Sequence, residues 1–293
     1  MAKVIENIEL APKVHRLRVE APRLVRKARA GQFVIIRPDE QGERVPMSIG
    51  GLDRDRGLLT MVIQEVGKTS AQLCDVAEGS DLADVVGPLG EPTEIEQFGH
   101  AVVVGGGIGI APIYPVALAL REAGNRTTAI IGARSEHLLF YREELTAGAD
   151  RLMVATDDGS FGLKGFVTTA LEQLIADDRP DWVMAIGPVP MMRAVTELTR
   201  PHKIPTVVSL NPIMIDGTGM CGGCRVSVGG ETRFACVDGP DFDGHQVDFD
   251  ELVQRQSQYK PFEKQAYESY LARRHECNLE RAMKDVTTAG EGA

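Results

Sequence analysis

Val102-Val103-Val104-Gly105-Gly106-Gly107-Ile108-Gly109-Ile110-Ala111-Pro112 changes character three times within eleven residues. It opens on β-branched apolar residues, as does a strand buried on both faces. The glycines follow as a loop with almost no side-chain bulk. Pro112 then suits the first turn of a helix, where a backbone N–H has no intrahelical partner to lose. Strand, glycine loop and helix predict a βα unit. The surrounding run Ala101 to Leu120 carries no charge. Pro112, Pro115 and the glycines interrupt it, so no membrane-spanning helix is expected.

Downstream the same pattern repeats. Apolar strands are predicted over residues 101–104, 127–132, 152–156, 182–187 and 206–210, and helices over 111–123, 137–147, 165–176 and 189–200. Strands alternating with helices imply a doubly wound parallel sheet over residues 99–210. Upstream, short alternating segments at 4–10, 14–20, 32–37, 45–50, 58–65 and 81–87 are bounded by Gly, Pro and Asp. They predict an antiparallel barrel or sandwich over residues 1–98, closed by Gly87-Pro88-Leu89-Gly90-Glu91-Pro92. Residues 211–248 are rich in Gly, Asp and Cys and too irregular for another βα unit. Residues 249–293 are polar and helix-prone, with a frayed end at 287–293. The fold class is thus a β-barrel joined to an α/β domain.

Composition narrows the chemistry. The 293 residues suit two domains, and the charge of 32 − 42 = −10 argues against a nucleic-acid binder, which would carry a basic patch. No basic segment followed by an apolar core opens the chain, so a cytoplasmic setting is expected. Five cysteines, an odd number, point to metal or redox chemistry rather than a disulfide framework.

Three of those cysteines cluster as Asp216-x4-Cys221-x2-Cys224-x11-Cys236. Plant-type [2Fe–2S] proteins use Cys-x4-Cys-x2-Cys with a distant fourth cysteine. Asp216 holds the first position, so Asp216, Cys221, Cys224 and Cys236 are the expected ligands. Two alternatives stay open. Zn²⁺ also accepts three cysteines and a carboxylate, and Asp216 can be a turn residue before Gly217 with the fourth ligand elsewhere. Cys74 and Cys277 read as ordinary residues.

Open parallel sheets bind ligands beyond the carboxyl ends of their strands. Three loops occupy such ends: Gly106-Gly107-Ile108-Gly109, Asp157-Asp158-Gly159-Ser160 and Gly187-Pro188. Together they predict a dinucleotide crevice. The glycine loop is not the Rossmann fingerprint, because Ile110 stands where a third glycine belongs. Arg134, after the second strand, either meets an adenosine 2′-phosphate or is a surface arginine, which leaves NAD(H) and NADP(H) both open.

A β-module, a glycine-loop domain and a cysteine segment in this order resemble the ferredoxin–NADP⁺ reductase superfamily, specifically its iron–sulfur flavoprotein subunits. Arg44-Val45-Pro46-Met47-Ser48-Ile49, Gly67-Lys68-Thr69-Ser70, Gly87-Pro88-Leu89-Gly90 and the glycine loop match its pattern over residues 1–240. Asp216 with Cys221-Gly-Gly-Cys224 and Ala235-Cys236-Val237-Asp238-Gly239-Pro240 is similar to the small subunits of NADH-dependent reduced ferredoxin:NADP⁺ oxidoreductases, also called sulfide dehydrogenase beta subunits. The resemblance implies FAD on the barrel, with Pro46, Met47 and Ser48 along the isoalloxazine. Ile63 and Gln64 would lie near the ribityl chain, and Gly67, Thr69 and Ser70 at the pyrophosphate. Arg44 stands one residue early for the superfamily's phosphate-binding arginine, and a one-residue slip turns a strand side chain to the other face.

The resemblance further implies hydride transfer from NAD(P)H to FAD and single-electron relay through the [2Fe–2S] centre, with no acid, base or nucleophile. The partner would be a larger FAD/[4Fe–4S] subunit, through which ferredoxin acts in a bifurcating or transhydrogenating complex. Residues 250–284 would be a docking arm for it or pack on their own domain. The competing readings are an electron-transfer subunit for dihydroorotate dehydrogenase or a hydrogenase, and a zinc-stabilised nucleotide-binding protein that catalyses nothing.

Overall fold

The computed structural model describes residues 2–274. The first module contains β1 (Ala2–Ala11), β2 (Val14–Glu20), a short α1 (Pro22–Val25), β3 (Phe33–Arg37), β4 (Val45–Ser48), β5 (Gly51–Asp53), β6 (Leu58–Gln64), α2 (Lys68–Cys74), β7 (Asp81–Leu82) and β8 (Asp84–Leu89). Two antiparallel sheets form, in the orders β5-β6-β2-β1-β7 and β4-β3-β8. Alternate residues of each strand point the same way, so Leu17, Val19, Leu59 and Met61 from one sheet meet Val34 and Ile36 from the other in one core. The single strand expected at 81–87 divides at Ala83. Its halves β7 and β8 pair with β1 and β3, so one short segment serves both sheets. The strand β5, three residues long, is too short to show alternation in the sequence.

The second module runs β9 (His100–Gly106), α3 (Ile110–Glu122), β10 (Arg126–Ala133), α4 (Arg142–Gly148), β11 (Arg151–Thr156), β12 (Leu163–Lys164), α5 (Val167–Asp177), β13 (Trp182–Ile186), α6 (Val189–Thr199) and β14 (Thr206–Ser209). Its sheet has the order β12-β11-β10-β9-β13-β14, parallel throughout. The run of valines in β9 faces both ways, as expected. Val102 and Val104 join the core under α5 and α6, whereas Ala101 and Val103 join the one under α3 and α4. The helix α4 starts later than its expected position, because Tyr141 before it is left-handed at φ 58°. The uncharged run 101–120 is split between β9, the glycine loop and α3. Among the described residues, no helix is long and apolar enough to cross a membrane.

Residues 211–248 form a hairpin of β15 (Arg225–Val228) and β16 (Glu231–Phe234), followed by β17 (Asp241–Asp243). The strand β17 adds antiparallel to β14, closing the edge of the parallel sheet. This segment also packs on the first module through β3. Val34 and Ile36 face the barrel core, whereas Phe33 and Ile35 turn to the core that contains Cys224, Cys236 and Phe242. Beyond it lie α7 (Phe249–Ser257) and a helix over residues 260–274. Cys277 and the expected frayed end lie outside the described residues.

Asp241 is half-buried where the segments meet, with its Oδ1 shut off from solvent. Thr93, in the connection between modules, donates its hydroxyl to Oδ2 at 2.6 Å, and Oδ1 has no hydrogen-bond partner among the described residues. Burial pushes this carboxyl up to about 6, from an ordinary 3.8. The folded state therefore retains a proton that the unfolded chain releases, and stability falls as pH rises from 3.8 to about 6. Asp241→Asn should relieve this cost above that window, on the order of 3 kcal/mol. Urea midpoints should rise in the variant at pH 8 but not at pH 4.

Candidate cofactor crevice and cluster loop

The chain builds β9, β10 and β11 outward to one side, then places β13 and β14 on the other. The carboxyl ends of β9 and β13 are thus the point where strand order reverses, and a crevice opens there. Two of the three predicted loops meet at it. A Cβ on Gly109 would stand 2.0 Å from the Ile186 carbonyl oxygen, and one on Gly187 would stand 2.8 Å from that of Gly106. Only glycine permits this backbone-to-backbone approach. The adjoining cavity of about 220 Å³ brings together Pro46, Met47 and Ser48 of β4 with Ile108, Gly109 and Gly187. Its wall also includes Phe33, Val62, Pro240 and the segment Ser209-Leu210-Asn211, none of them singled out from the sequence. That last segment follows the carboxyl end of β14, so the strand-end rule applied to one more strand would have found it.

The other expected residues lie elsewhere. Gly106 sits under Met191, whose sulfur would be 2.2 Å from an added Cβ. Gly107 is left-handed at φ 55°. Asp157 and Asp158 are exposed beyond β11, and Pro188 is exposed at the start of α6. Ser160 donates its hydroxyl to Asp158 at 2.6 Å and its N–H at 2.9 Å, holding that carboxyl down at about 2. Ile63 is 1% exposed in the barrel core, so its side chain cannot face a ribityl chain and only its backbone is on offer. Gln64 is exposed. Thr69 donates to Glu43 at 2.8 Å, and the Ser70 hydroxyl accepts the N–H groups of Val66 and Gly67. The 67–70 segment thus forms the first turn of α2, tied to Glu43 and outside the cavity wall. Arg44 lies 3.8 Å from Asp84, paired with the barrel.

In the cluster loop, Gly217, Gly219 and Gly222 are left-handed, at φ 75°, 83° and 67°. The loop rests on the barrel, since a Cβ on Gly217 would meet Leu89 at 2.7 Å and Ile35 at 2.9 Å. The four candidate donors fall into two pairs. Cys224 and Cys236, both buried and free, have sulfurs 3.1 Å apart. Asp216 accepts the N–H of Cys221 at 2.9 Å through one oxygen and that of Thr218 at 3.0 Å through the other. Those N–H groups, Thr218 first, hold the Asp216 carboxyl below its usual range, and the Cys221 thiol adds to the effect. Burial and the neighbouring Cys224 thiol push Cys236 up to about 12, so the metal-free thiol is protonated. Among the described residues, no three of these donors converge on a single ion position. Two pairs suit a two-iron cluster, in which each iron takes two protein ligands. Cys74 lies buried at the end of α2, away from these donors, and its thiol is pushed up to about 12 by burial.

Comparison with known proteins matches this geometry. Residues 211–248 match the iron–sulfur cluster binding domain of dihydroorotate dehydrogenase B, and residues 103–197 match the oxidoreductase NAD-binding domain. A dihydroorotate dehydrogenase B (NAD⁺) electron transfer subunit homolog from Thermotoga maritima is 47% identical over 92% of this chain and 95% of its own length. The chain belongs to the dihydroorotate dehydrogenase B electron-transfer-subunit family. A member from Geobacillus thermodenitrificans is 33% identical over 83% of this chain and 96% of its own. A chain of the solved NADH-dependent reduced ferredoxin–NADP oxidoreductase, studied for flavin-based electron bifurcation, is 45% identical with a TM-score of 0.88. That alignment covers 92% of this chain and 98% of the other. The fold class expected from the sequence is borne out. So are the electron-transfer role and the binding of an iron–sulfur cluster and NAD. As a family member the chain is a redox subunit that works with a larger catalytic partner.

Gly109→Ala must force the two crevice loops apart, because its Cβ meets main chain that cannot rotate away. Overpacking of this kind costs about 1–3 kcal/mol. Urea unfolding should show that loss, and NADH titration should show weaker binding. Gly67→Ala, whose Cβ meets nothing within 4 Å, should leave stability nearly unchanged.

Proposed function

We propose that this chain is the small subunit of an NADH-dependent reduced ferredoxin:NADP⁺ oxidoreductase of the bifurcating or transhydrogenating type. The observation that carries the reading is the cluster loop, where an aspartate stands in the first ligand position and the four donors form two pairs. Residues 1–98 would carry FAD, 99–210 the nicotinamide nucleotide and 211–248 the cluster, with β17 lent to the nucleotide sheet. Asp216, Cys221, Cys224 and Cys236 would hold the [2Fe–2S] centre. Pro46, Met47 and Ser48 would bound the flavin ring, and the segment 67–70 would receive the pyrophosphate. The glycine loop and Gly187-Pro188 would hold NAD(H) against it.

A flavin held by Pro46, Met47 and Ser48 would supply hydride exchange with the nicotinamide, and a cluster held by Asp216, Cys221, Cys224 and Cys236 would supply single-electron relay. The protein's own part is placement. The apolar crevice wall excludes water, and the close-packed glycine loops fix the approach of the nucleotide. The partner would be a larger FAD/[4Fe–4S] subunit that also handles ferredoxin. Free cysteines fit a reducing, cytoplasmic setting.

Anaerobic purification tests the assignment. We expect a yellow-brown protein with one FAD, two irons and two sulfides per chain, and co-purification of the larger flavoprotein. Asp216→Cys should keep two irons but change the cluster's electron paramagnetic resonance signal. A colourless zinc protein would overturn the reading, and a complex that oxidises dihydroorotate would move the chain to the other branch of the family.

A further inference from the structure

The segment 65–75 contains the 67–70 turn and is bracketed by two carboxylates, Glu65 before it and Asp75 at the end of α2. Both are held by the helix over residues 260–274, from the opposite end of the chain. Tyr267 donates its hydroxyl to Glu65 Oε1 at 2.7 Å, and Tyr270 donates to Asp75 Oδ2 at 2.8 Å. Arg274 reaches both, with Nη1 3.2 Å from Glu65 and Nη2 2.6 Å from Asp75. Residues at i, i+3 and i+7 share one helical face, so a single face of this helix fastens both ends of the turn. Glu65 keeps only 8% of its side chain exposed. The same C-terminal segment is anchored at its start to the cluster segment. Gln256 donates to the Asn211 carbonyl at 2.7 Å, and Arg255 donates to the Gly223 carbonyl at 3.3 Å.

We infer that the C-terminal helix is a strap that holds the 67–70 turn in shape for the flavin pyrophosphate, with Tyr267, Tyr270 and Arg274 as positioning residues. The inference rests on the reading of that turn as the pyrophosphate site. Ser70 bonds the turn's own backbone, and Thr69 and Lys68 tie one side of it to Glu43 in the β3–β4 connection. Both ends are gripped by the C-terminal helix, so the turn's placement depends on those contacts as well. Charge-assisted hydrogen bonds are the strong ones, and two tyrosines with a forked guanidinium supply four of them to two carboxylates.

The test uses full-length chains carrying Tyr267→Phe, Arg274→Ala or Arg274→Lys, and follows FAD release after dilution by the recovery of flavin fluorescence. Release should quicken at least about tenfold in Arg274→Ala and severalfold in Tyr267→Phe, the scale of losing hydrogen bonds to a charged group. Arg274→Lys should return most of the loss. The cluster's visible spectrum should stay unchanged in all three, which separates a local effect from unfolding. Unchanged release rates in a flavin-bearing protein would overturn the strap. A wild-type chain that binds FAD, but loses none of it faster when Thr69 and Ser70 are both changed to Ala, would overturn the pyrophosphate reading beneath it and the strap with it.

Discussion

The backbone contact between Gly109 and Ile186 is the constraint on which the rest of the site depends. It sits where the strand order of the parallel sheet reverses, between β9 and β13. At that place two loops leave adjacent strands in opposite directions, and any side chain between them would fill the crevice. The tight glycine packing keeps the crevice floor low, so that the wall contributed by β4 and by Ser209-Leu210-Asn211 can close around an apolar space. The crevice is shared between modules because β4 belongs to the barrel and the glycine loop to the sheet.

A second constraint acts through β3. Its alternating faces serve two cores at once, Val34 and Ile36 inward to the barrel and Phe33 and Ile35 outward to the cysteine segment. The cluster loop is therefore laid directly on the barrel, with Gly217 against Ile35 and Leu89. Phe33 also borders the crevice. One strand thus ties the crevice to the loop that carries the cysteines.

Much of this was legible in the sequence, for reasons that also explain what was not. Apolar runs marked five of the six strands of the parallel sheet, because strands buried on both faces carry their signal in composition alone; β12, two residues long, gave no such run. The cysteine spacing marked the cluster segment, because ligands must lie within a few residues of one another on a wrapping loop. Alternation in β6 sets the Ile63 side chain in the barrel core with Leu59 and Met61, a placement that a family pattern does not encode. The division of 81–87 between two sheets was hidden, since each half alone is too short for a periodic signal. Asp241 and Glu65 were unreadable as well. Their partners lie 148 and 202 residues away in the chain, and no local pattern reports such a meeting.

Those two carboxylates show burial and partner charge competing to set the state of an acid at a junction. Both lie at junctions between segments. Asp241 has a neutral hydroxyl from Thr93, so burial prevails and its carboxyl rises. Burial would raise Glu65 too, but the Tyr267 hydroxyl and the Arg274 guanidinium outweigh it, and Glu65 falls below its usual range. The junction at Asp241 is therefore held by packing and tolerates a proton. The junction at Glu65 is held by charge and depends on the ionised form. A joint of the first kind is indifferent to salt, whereas one of the second kind loosens when acid protonates Glu65, whose burial leaves little for salt to screen. The C-terminal helix is thus the attachment most responsive to its surroundings, while the crevice and the cluster loop rest on contacts between backbone and apolar side chains.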